Sequence, residues 1–166
     1  NGTTTIGNSG FYDCNKLVYV NNFEYADQEG LHLNANLTYI GTYTFYNFDN
    51  LLDVDFGDNA NLTNIEQYAF CECSNIRYMR LPFAGNVIGS RGDYEDTAFY
   101  YIFGSEGHVP ASLKKVELTR ETNLGRGFRW LESIQEIILP KTIYKRPLQE
   151  HHLEPHQQLH MPYPHA

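Results

Sequence analysis

The chain has 166 residues, enough for one domain with a hydrophobic core, and its 14% aromatic content argues against intrinsic disorder. The formal net charge of -8 disfavours nucleic-acid binding, because an acidic surface repels the phosphate backbone. No apolar run reaches the roughly 18–20 residues of a membrane-spanning helix, and 3 cysteines are too few to predict a disulfide scaffold.

Apolar residues recur along the chain at one irregular spacing. Segments that begin at Ile6, Ile40 and Ile65 each place apolar residues 5, 8, 11 and 14 positions after the first. A later segment from Leu124 keeps the steps of three, three, three and two that follow its Phe, and residues 113–118 keep the closing steps of a further copy. Five occurrences of this spacing predict a repeat protein.

Each repeat is predicted to contain a turn, a helical segment and a strand. The Ile-Gly pair predicts a turn, where Gly tolerates backbone angles that branched residues resist. The Phe-x-x-Cys part has a period near three, which favours a 3₁₀ turn or a short helix. The closing Leu-x-x-Val-x-Phe part predicts a strand whose alternate residues point inward.

Stacking of the repeats follows from their size. A coil of about 23–25 residues cannot bury its own apolar edge, so it must pack on its neighbours. Phe45 and Phe70 are therefore predicted to be neighbours in space. Cys14 and Cys73 occupy the slot that Phe48 fills in the second repeat, which predicts small, buried apolar side chains.

The pattern Ile-Gly-x-x-x-Phe-x-x-Cys-x-x-Leu-x-x-Val, closed by Leu-Pro, resembles the BspA-type leucine-rich repeat. Residues 81–114 resemble a longer variant coil of that family. The resemblance implies a leucine-rich-repeat solenoid, a right-handed β-solenoid of about five coils with short strands and 3₁₀ or short helical turns. It also implies a surface or secreted protein of host-associated microbes that functions in adhesion and protein binding. Glu66 replaces the expected Gly, and Asn22 replaces an inward apolar residue.

Two regions are predicted along the chain. Residues 1–145 form the repeat domain, with insertions near 21–35 and 83–112. Residues 146–166 hold four prolines and five of the 7 histidines, which predicts a disordered or non-native tail. His152, His156 and His160 are spaced for a helical metal site, but Pro155 breaks that geometry.

The outward residues of the strands are the predicted binding surface. Tyr and Arg are favoured anchors of protein recognition, so Tyr78 and Arg80 lead the set. The simpler interpretation is an ordinary solvated sheet face. By repeat register the full set is Tyr19, Asn21, Asp53, Asp55, Tyr78, Arg80, Lys115, Glu117, Glu136 and Ile138.

Three short motifs allow a more specific hypothesis. Arg91-Gly92-Asp93 is the tripeptide that integrins bind, although a polar turn of the insertion is the favoured interpretation. Asp53, Asp55 and Asp58, with Asn59, suggest a calcium loop but lack its Gly and distal Glu. Cys71-Glu72-Cys73 suggests a thiolate metal site, but the register places Cys71 outside and no other Cys pair completes the ligands.

No motif predicts catalysis. Gly7-Asn8-Ser9-Gly10 lacks the glycine spacing of a nucleophile elbow. Outside the tail only His32 and His108 could act as general bases, and neither has a recognisable partner in the sequence. We therefore expect no enzyme, no cofactor and no metal, but an extracellular or cell-surface module that binds host or neighbouring proteins. The alternative is a structural spacer in a larger surface protein or enzyme.

Overall fold

The computed structural model describes residues 2–21, 30–33, 36–88, 99–124 and 127–141. Asn22, the Arg91-Gly92-Asp93 motif and the predicted tail 146–166 lie outside the described residues.

The described chain consists of short parallel strands joined by turns. It also has two 3₁₀ helices, Phe99–Phe103 and Glu106–His108. None of its helices has the length and apolarity needed to cross a membrane. The strands are β1 Thr5–Ile6, β2 Tyr19–Asn21, β3 Gly30–His32, β4 Tyr39–Ile40, β5 Asp53–Asp55, β6 Asn64–Ile65, β7 Tyr78–Leu81, β8 Lys115–Leu118 and β9 Glu136–Ile138.

The strands form two parallel sheets whose register follows the repeat. The smaller sheet has the order β1-β4-β6, and the larger has the order β2-β3-β5-β7-β8-β9. In the larger sheet Val54 lies opposite Met79, which lies opposite Val116. Each of these three residues is 0% exposed. The prediction that equivalent residues of successive repeats come together is confirmed at these positions.

A column of phenylalanines runs through the hydrophobic core. Phe45 stacks on Phe70 with ring centroids 5.1 Å apart, as predicted. Phe11 extends the column on one side, with its ring centroid 5.5 Å from that of Phe45. Phe103 extends it on the other side, 6.2 Å from Phe70. Burying a Phe side chain stabilises the fold by about 1.5–3 kcal/mol, and aromatic pairs add further stabilisation.

The segments around Phe11, Phe45, Phe70 and Phe128 are consecutive turns, and three of them contain the i→i+3 bond of the predicted 3₁₀ turn, as where the Cys73 N–H donates to the Phe70 carbonyl at 3.2 Å. Only Phe99–Phe103 forms a 3₁₀ helix at the equivalent place in the part of the chain that the structure describes. In the first three repeats the residues two before and two after the Phe adopt positive φ, as Tyr43 (53°) and Asn47 (54°) do around Phe45. These angles interrupt a helix and turn alternate backbone N–H groups towards the next repeat. The Phe45 N–H, for example, donates to the Ala69 carbonyl at 2.8 Å.

The glycine of the Ile-Gly pair has a different role from the predicted one. Gly41 does not adopt a positive φ. A Cβ at Gly41 would lie 2.5 Å from the backbone nitrogen and the side-chain oxygen of Asn8, in the preceding repeat. Gly is therefore needed at position 41 for the close approach of two repeats.

The segment predicted as an insertion near 21–35 contributes a strand that the periodicity did not predict. Its Leu31 lies opposite Val20 of β2 and Val54 of β5, and its side chain is fully buried. One more inward residue and one more strand therefore separate the first two repeats.

Several burial predictions need correction. Cys71, predicted to lie outside, is only 5% exposed, whereas Cys73 is buried as predicted. Cys14 is only partly buried, and Leu17 and Ile137 are 36% and 40% exposed. These three residues belong to the first and last described repeats, where a described neighbour covers one side only.

Candidate functional site

The outward side chains of β5, β7, β8 and β9 form one surface, here called the strand face. Backbone pairing aligns them in two rows. The first row is Asp53, Tyr78, Lys115 and Glu136, and the second is Asp55, Arg80, Glu117 and Ile138. In backbone register Tyr19 and Asn21 lie opposite Gly30 and His32, so β3 adds His32 to the predicted set.

Arg80 is the centre of the strand face. Its guanidinium lies 2.9 Å from Glu117, 2.8 Å from Asp58 and 3.5 Å from Asp55. The side chain is only 25% exposed. Charge-assisted bonds of this kind are stronger than neutral ones, and three carboxylates use most of the donor fork of an Arg. Arg80 therefore organises the surface around it.

Tyr78 joins the same network from the neighbouring row. Its hydroxyl donates to Glu117 Oε2 at 3.1 Å, while Arg80 donates to the other oxygen of that carboxylate. Burial raises the pKa of the Tyr78 hydroxyl above its usual value, and the nearby Glu117 carboxylate raises it further. Tyr78 consequently stays a neutral donor, and its ring is held in one orientation.

The loop after β5 stabilises this network through hydrogen bonds. The Gly57 N–H donates to Asp55 Oδ1 at 2.6 Å, and the Gly57 carbonyl accepts from the Thr119 hydroxyl at 3.3 Å. Arg120 donates to the Asn59 carbonyl at 2.9 Å. These bonds link the loop after β5 to the loop after β8, although about sixty residues of chain separate them.

The edges of the strand face carry looser ion pairs. Arg77 lies 3.8 Å from Asp53, and Lys115 lies 3.3 Å from Glu136. All four side chains are 39–60% exposed. Exposed pairs of this kind stabilise a fold by less than about 1 kcal/mol, so these groups can exchange partners at little cost.

The repeats that build this surface match a known family of sequences. The family described as BspA type Leucine rich repeat region (6 copies) matches residues 1–117. The chain belongs to this family. Its members are commonly surface repeat proteins, and leucine-rich repeats generally mediate protein interactions. No curated protein and no solved structure matches the chain.

Within this BspA-type repeat chain, the residues of the suggested calcium loop have other partners. Asp55 and Asp58 bind Arg80. The Asn59 side chain is buried, where it accepts the Leu62 N–H and donates to the Leu37 carbonyl. No cluster of metal-ligating side chains occurs in the part of the chain that the structure describes, Cys71 and Cys73 included.

His108 has two partners that sequence reasoning missed. Its Nδ1 lies 2.9 Å from the Ser105 hydroxyl, and its Nε2 lies 3.7 Å from Glu72. Ser105 is three residues away on the same turn, a spacing that could have suggested the first contact. Glu72 comes from the preceding repeat, and no pattern in the sequence indicates that approach.

Proposed function

We propose that this chain is a non-catalytic protein-binding or adhesion module, carried by a cell-surface or secreted BspA-type protein. In this proposal the two sheets are the walls of a right-handed solenoid of about five coils. The strand face binds proteins of the host or of neighbouring cells. Arg91-Gly92-Asp93 would be an additional contact if the partner is an integrin.

The main support for this proposal is that the side chains of the strand face are already held in place. Arg80 and Tyr78 are held by the carboxylates of Glu117, Asp55 and Asp58 before any partner arrives. A surface ordered in advance loses little side-chain entropy on binding, which favours affinity. Tyr and Arg are also the residues that most often anchor protein interfaces.

The charges of the face indicate the kind of partner. Its described ion pairs contain five carboxylates, from Asp53, Asp55, Asp58, Glu117 and Glu136, and three cations, from Arg77, Arg80 and Lys115. The excess is negative, in line with the net charge of -8. Complementarity therefore favours a partner with a basic surface.

Contacts around His108 support a non-catalytic role. His108 is 45% exposed and Glu72 is 50% exposed. In a hydrolase triad the base accepts the nucleophile's proton in a site that excludes water, with an oxyanion hole beside it. The contact between Ser105 and His108 is local and open to solvent, so we interpret it as a stabilised turn.

Binding can be tested with matched variants. The pair Tyr78→Ala and Glu136→Gln removes an aromatic ring and a negative charge from the strand face. The control pair Tyr12→Ala and Asp13→Asn removes the same groups from an exposed turn elsewhere. Immobilised protein is presented with purified basic extracellular proteins, and affinity is measured by surface plasmon resonance. We expect the strand-face pair to weaken binding at least tenfold and the control pair to leave it unchanged. Equal affinity of both pairs would refute the proposal.

A structural spacer is the second candidate. The unbroken register from β2 to β9 and the backbone bonds between repeats favour it, because such stacking makes a stiff element. The full-length gene separates the two functions. A linked hydrolase or anchor domain, with activity that depends on the number of repeats and not on Tyr78, would favour the spacer.

A further inference from the structure

An open surface cavity of about 390 Å³ lies between the second 3₁₀ helix and the turn before β9, and none of its lining residues belongs to the strand face. Trp130, the one tryptophan of the chain, forms part of its wall and is 59% exposed. Val109 and Leu131 supply apolar lining, and Glu106, Lys114 and Glu132 supply charged groups. The size is within the usual range for small-molecule sites.

Trp130 lies at a turn position where the repeats adopt positive φ. Trp130 has φ of 63° and lies two residues after Phe128, the slot that Asp13, Asn47 and Glu72 occupy in other repeats. Positive φ is usual in these turns, and Tyr43 and Tyr68 also adopt it, but their rings stack on each other at 5.0 Å. The Trp130 ring stacks on no other ring among the described aromatic pairs, and its exposed surface is available to a ligand.

The groups around the ring are balanced in charge. The Arg129 guanidinium lies 3.7 Å from the centre of the Trp130 ring and covers one face. With 59% of the residue exposed, area beyond that contact remains open to a ligand. Glu106 and Glu132 offset Lys114 and Arg129, so the site has both donors and acceptors but no net charge. Such a site suits a neutral, hydroxyl-rich ligand that also has an apolar face.

Pyranose sugars combine those two properties, because their ring hydrogens form an apolar face and their hydroxyls both donate and accept. We infer that this cavity binds a neutral oligosaccharide, whose ring stacks on Trp130 while its hydroxyls bond to the carboxylates of Glu106 and Glu132. This site is separate from the strand face, and its ligand is not a protein. The sugar-binding inference is therefore independent of the proposed protein-binding function.

The single tryptophan makes the inference directly measurable. Maltotriose, chitotriose and lactose are titrated against the intact chain while the tryptophan fluorescence is followed. At least one of these sugars is expected to give a saturable change with Kd of roughly 0.1–1 mM, a weak but specific affinity. Linear sorbitol, which has hydroxyls but no ring, is expected to give none. Because the ligand is neutral, affinity should be the same at low and at high salt.

A substitution separates a binding role from a structural one. Trp130→Asn removes the ring and places at position 130 the residue type that Asn47 supplies at the same slot, also at positive φ, in the second repeat. Sugar affinity, followed by calorimetry, should fall at least tenfold while Tm changes by less than about 2 °C, because an exposed ring contributes little to folding. The control Tyr12→Asn removes another exposed aromatic residue and should leave sugar affinity unchanged.

Four results would overturn the inference: no saturable response to any of the three sugars, an equal response to sorbitol, unchanged affinity in Trp130→Asn, or binding of the peptide Gly-Arg-Gly in place of the sugars. The strand-face variant Tyr78→Ala should bind the sugar normally. That result would distinguish failure of this site from failure of the protein-binding proposal.

Discussion

Phe45→Ala tests whether the stacked repeats act as one core. The Phe45 ring is fully buried and packs between Phe11 at 5.5 Å and Phe70 at 5.1 Å, with Phe48 at 6.5 Å. Replacing a buried Phe by Ala costs about 3–5 kcal/mol, from lost transfer energy and from the cavity that remains. Rings on both sides hold the cavity open, so we expect the upper part of that range, about 4–5 kcal/mol.

Urea unfolding followed by circular dichroism gives the free energy of unfolding, and a thermal scan gives Tm. Each kcal/mol shifts Tm by about 2–4 °C in a chain of this size, so Tm should fall by about 8–20 °C. The tryptophan lies far along the chain, at position 130, and its fluorescence shows whether a distant repeat unfolds in the same transition.

Phe11→Ala is the matched control. Phe11 is only partly buried and has ring contact with Phe45 alone among the described aromatic pairs. Its removal should cost about 1–2 kcal/mol, because the outer repeat can relax around a smaller side chain. If Phe45→Ala costs no more than Phe11→Ala, the reasoning from a continuous aromatic column is refuted.

Two further predictions concern charge and pH. Arg80→Ala should lower the free energy of unfolding, measured in urea, by about 2 kcal/mol, because Glu117 and its neighbours lose their shared cation. This value lies between those of exposed and of buried ion pairs. Adding Glu117→Gln should restore part of the loss, and a double variant whose effect is the sum of the two single effects would contradict the network. Burial raises the pKa of the Cys73 thiol from 9.0 to about 12. Above pH 9 the thiol ionises in the unfolded chain but stays neutral in the folded protein. The free energy of unfolding is therefore unaffected by this group below pH 9 and falls by roughly 1.4 kcal/mol per pH unit as the pH rises from 9 towards 12. Cys73→Val should flatten this alkaline slope and Cys14→Val should not; equal slopes in both variants would show that Cys73 does not cause it.

Much of the fold was predictable from apolar spacing alone. The steps between Ile40, Phe45, Leu51 and Val54 record which side chains of one repeat face inward, and the same steps recur in the next repeat. The strands β2, β5, β7, β8 and β9, the stacking of Phe45 on Phe70 and the family membership follow from them, whereas β3 and the smaller sheet do not. Periodicity carries this information because burial of apolar side chains is the dominant favourable term in folding.

The local backbone was predicted less well. A period near three is shared by a 3₁₀ helix and by consecutive turns, so the spacing did not reveal the positive φ values of Tyr43 and Asn47. The sequence suggested a conformational role for Gly41, whereas its structural role is to leave space for Asn8 of another repeat. The burial of Cys71 was missed because turns can bury two consecutive residues, here Phe70 and Cys71, whereas consecutive residues of a strand point to opposite faces.

What the sequence alone determined is the repeat and the set of side chains that point out of its sheet. What only the tertiary structure decided is how those side chains pair. Arg80 gathers carboxylates that lie 22 to 37 residues away along the chain, and Trp130 lines a cavity with Glu106 from another segment. Polar pairing depends on the distances between side chains of different repeats. Apolar spacing contains no record of those distances.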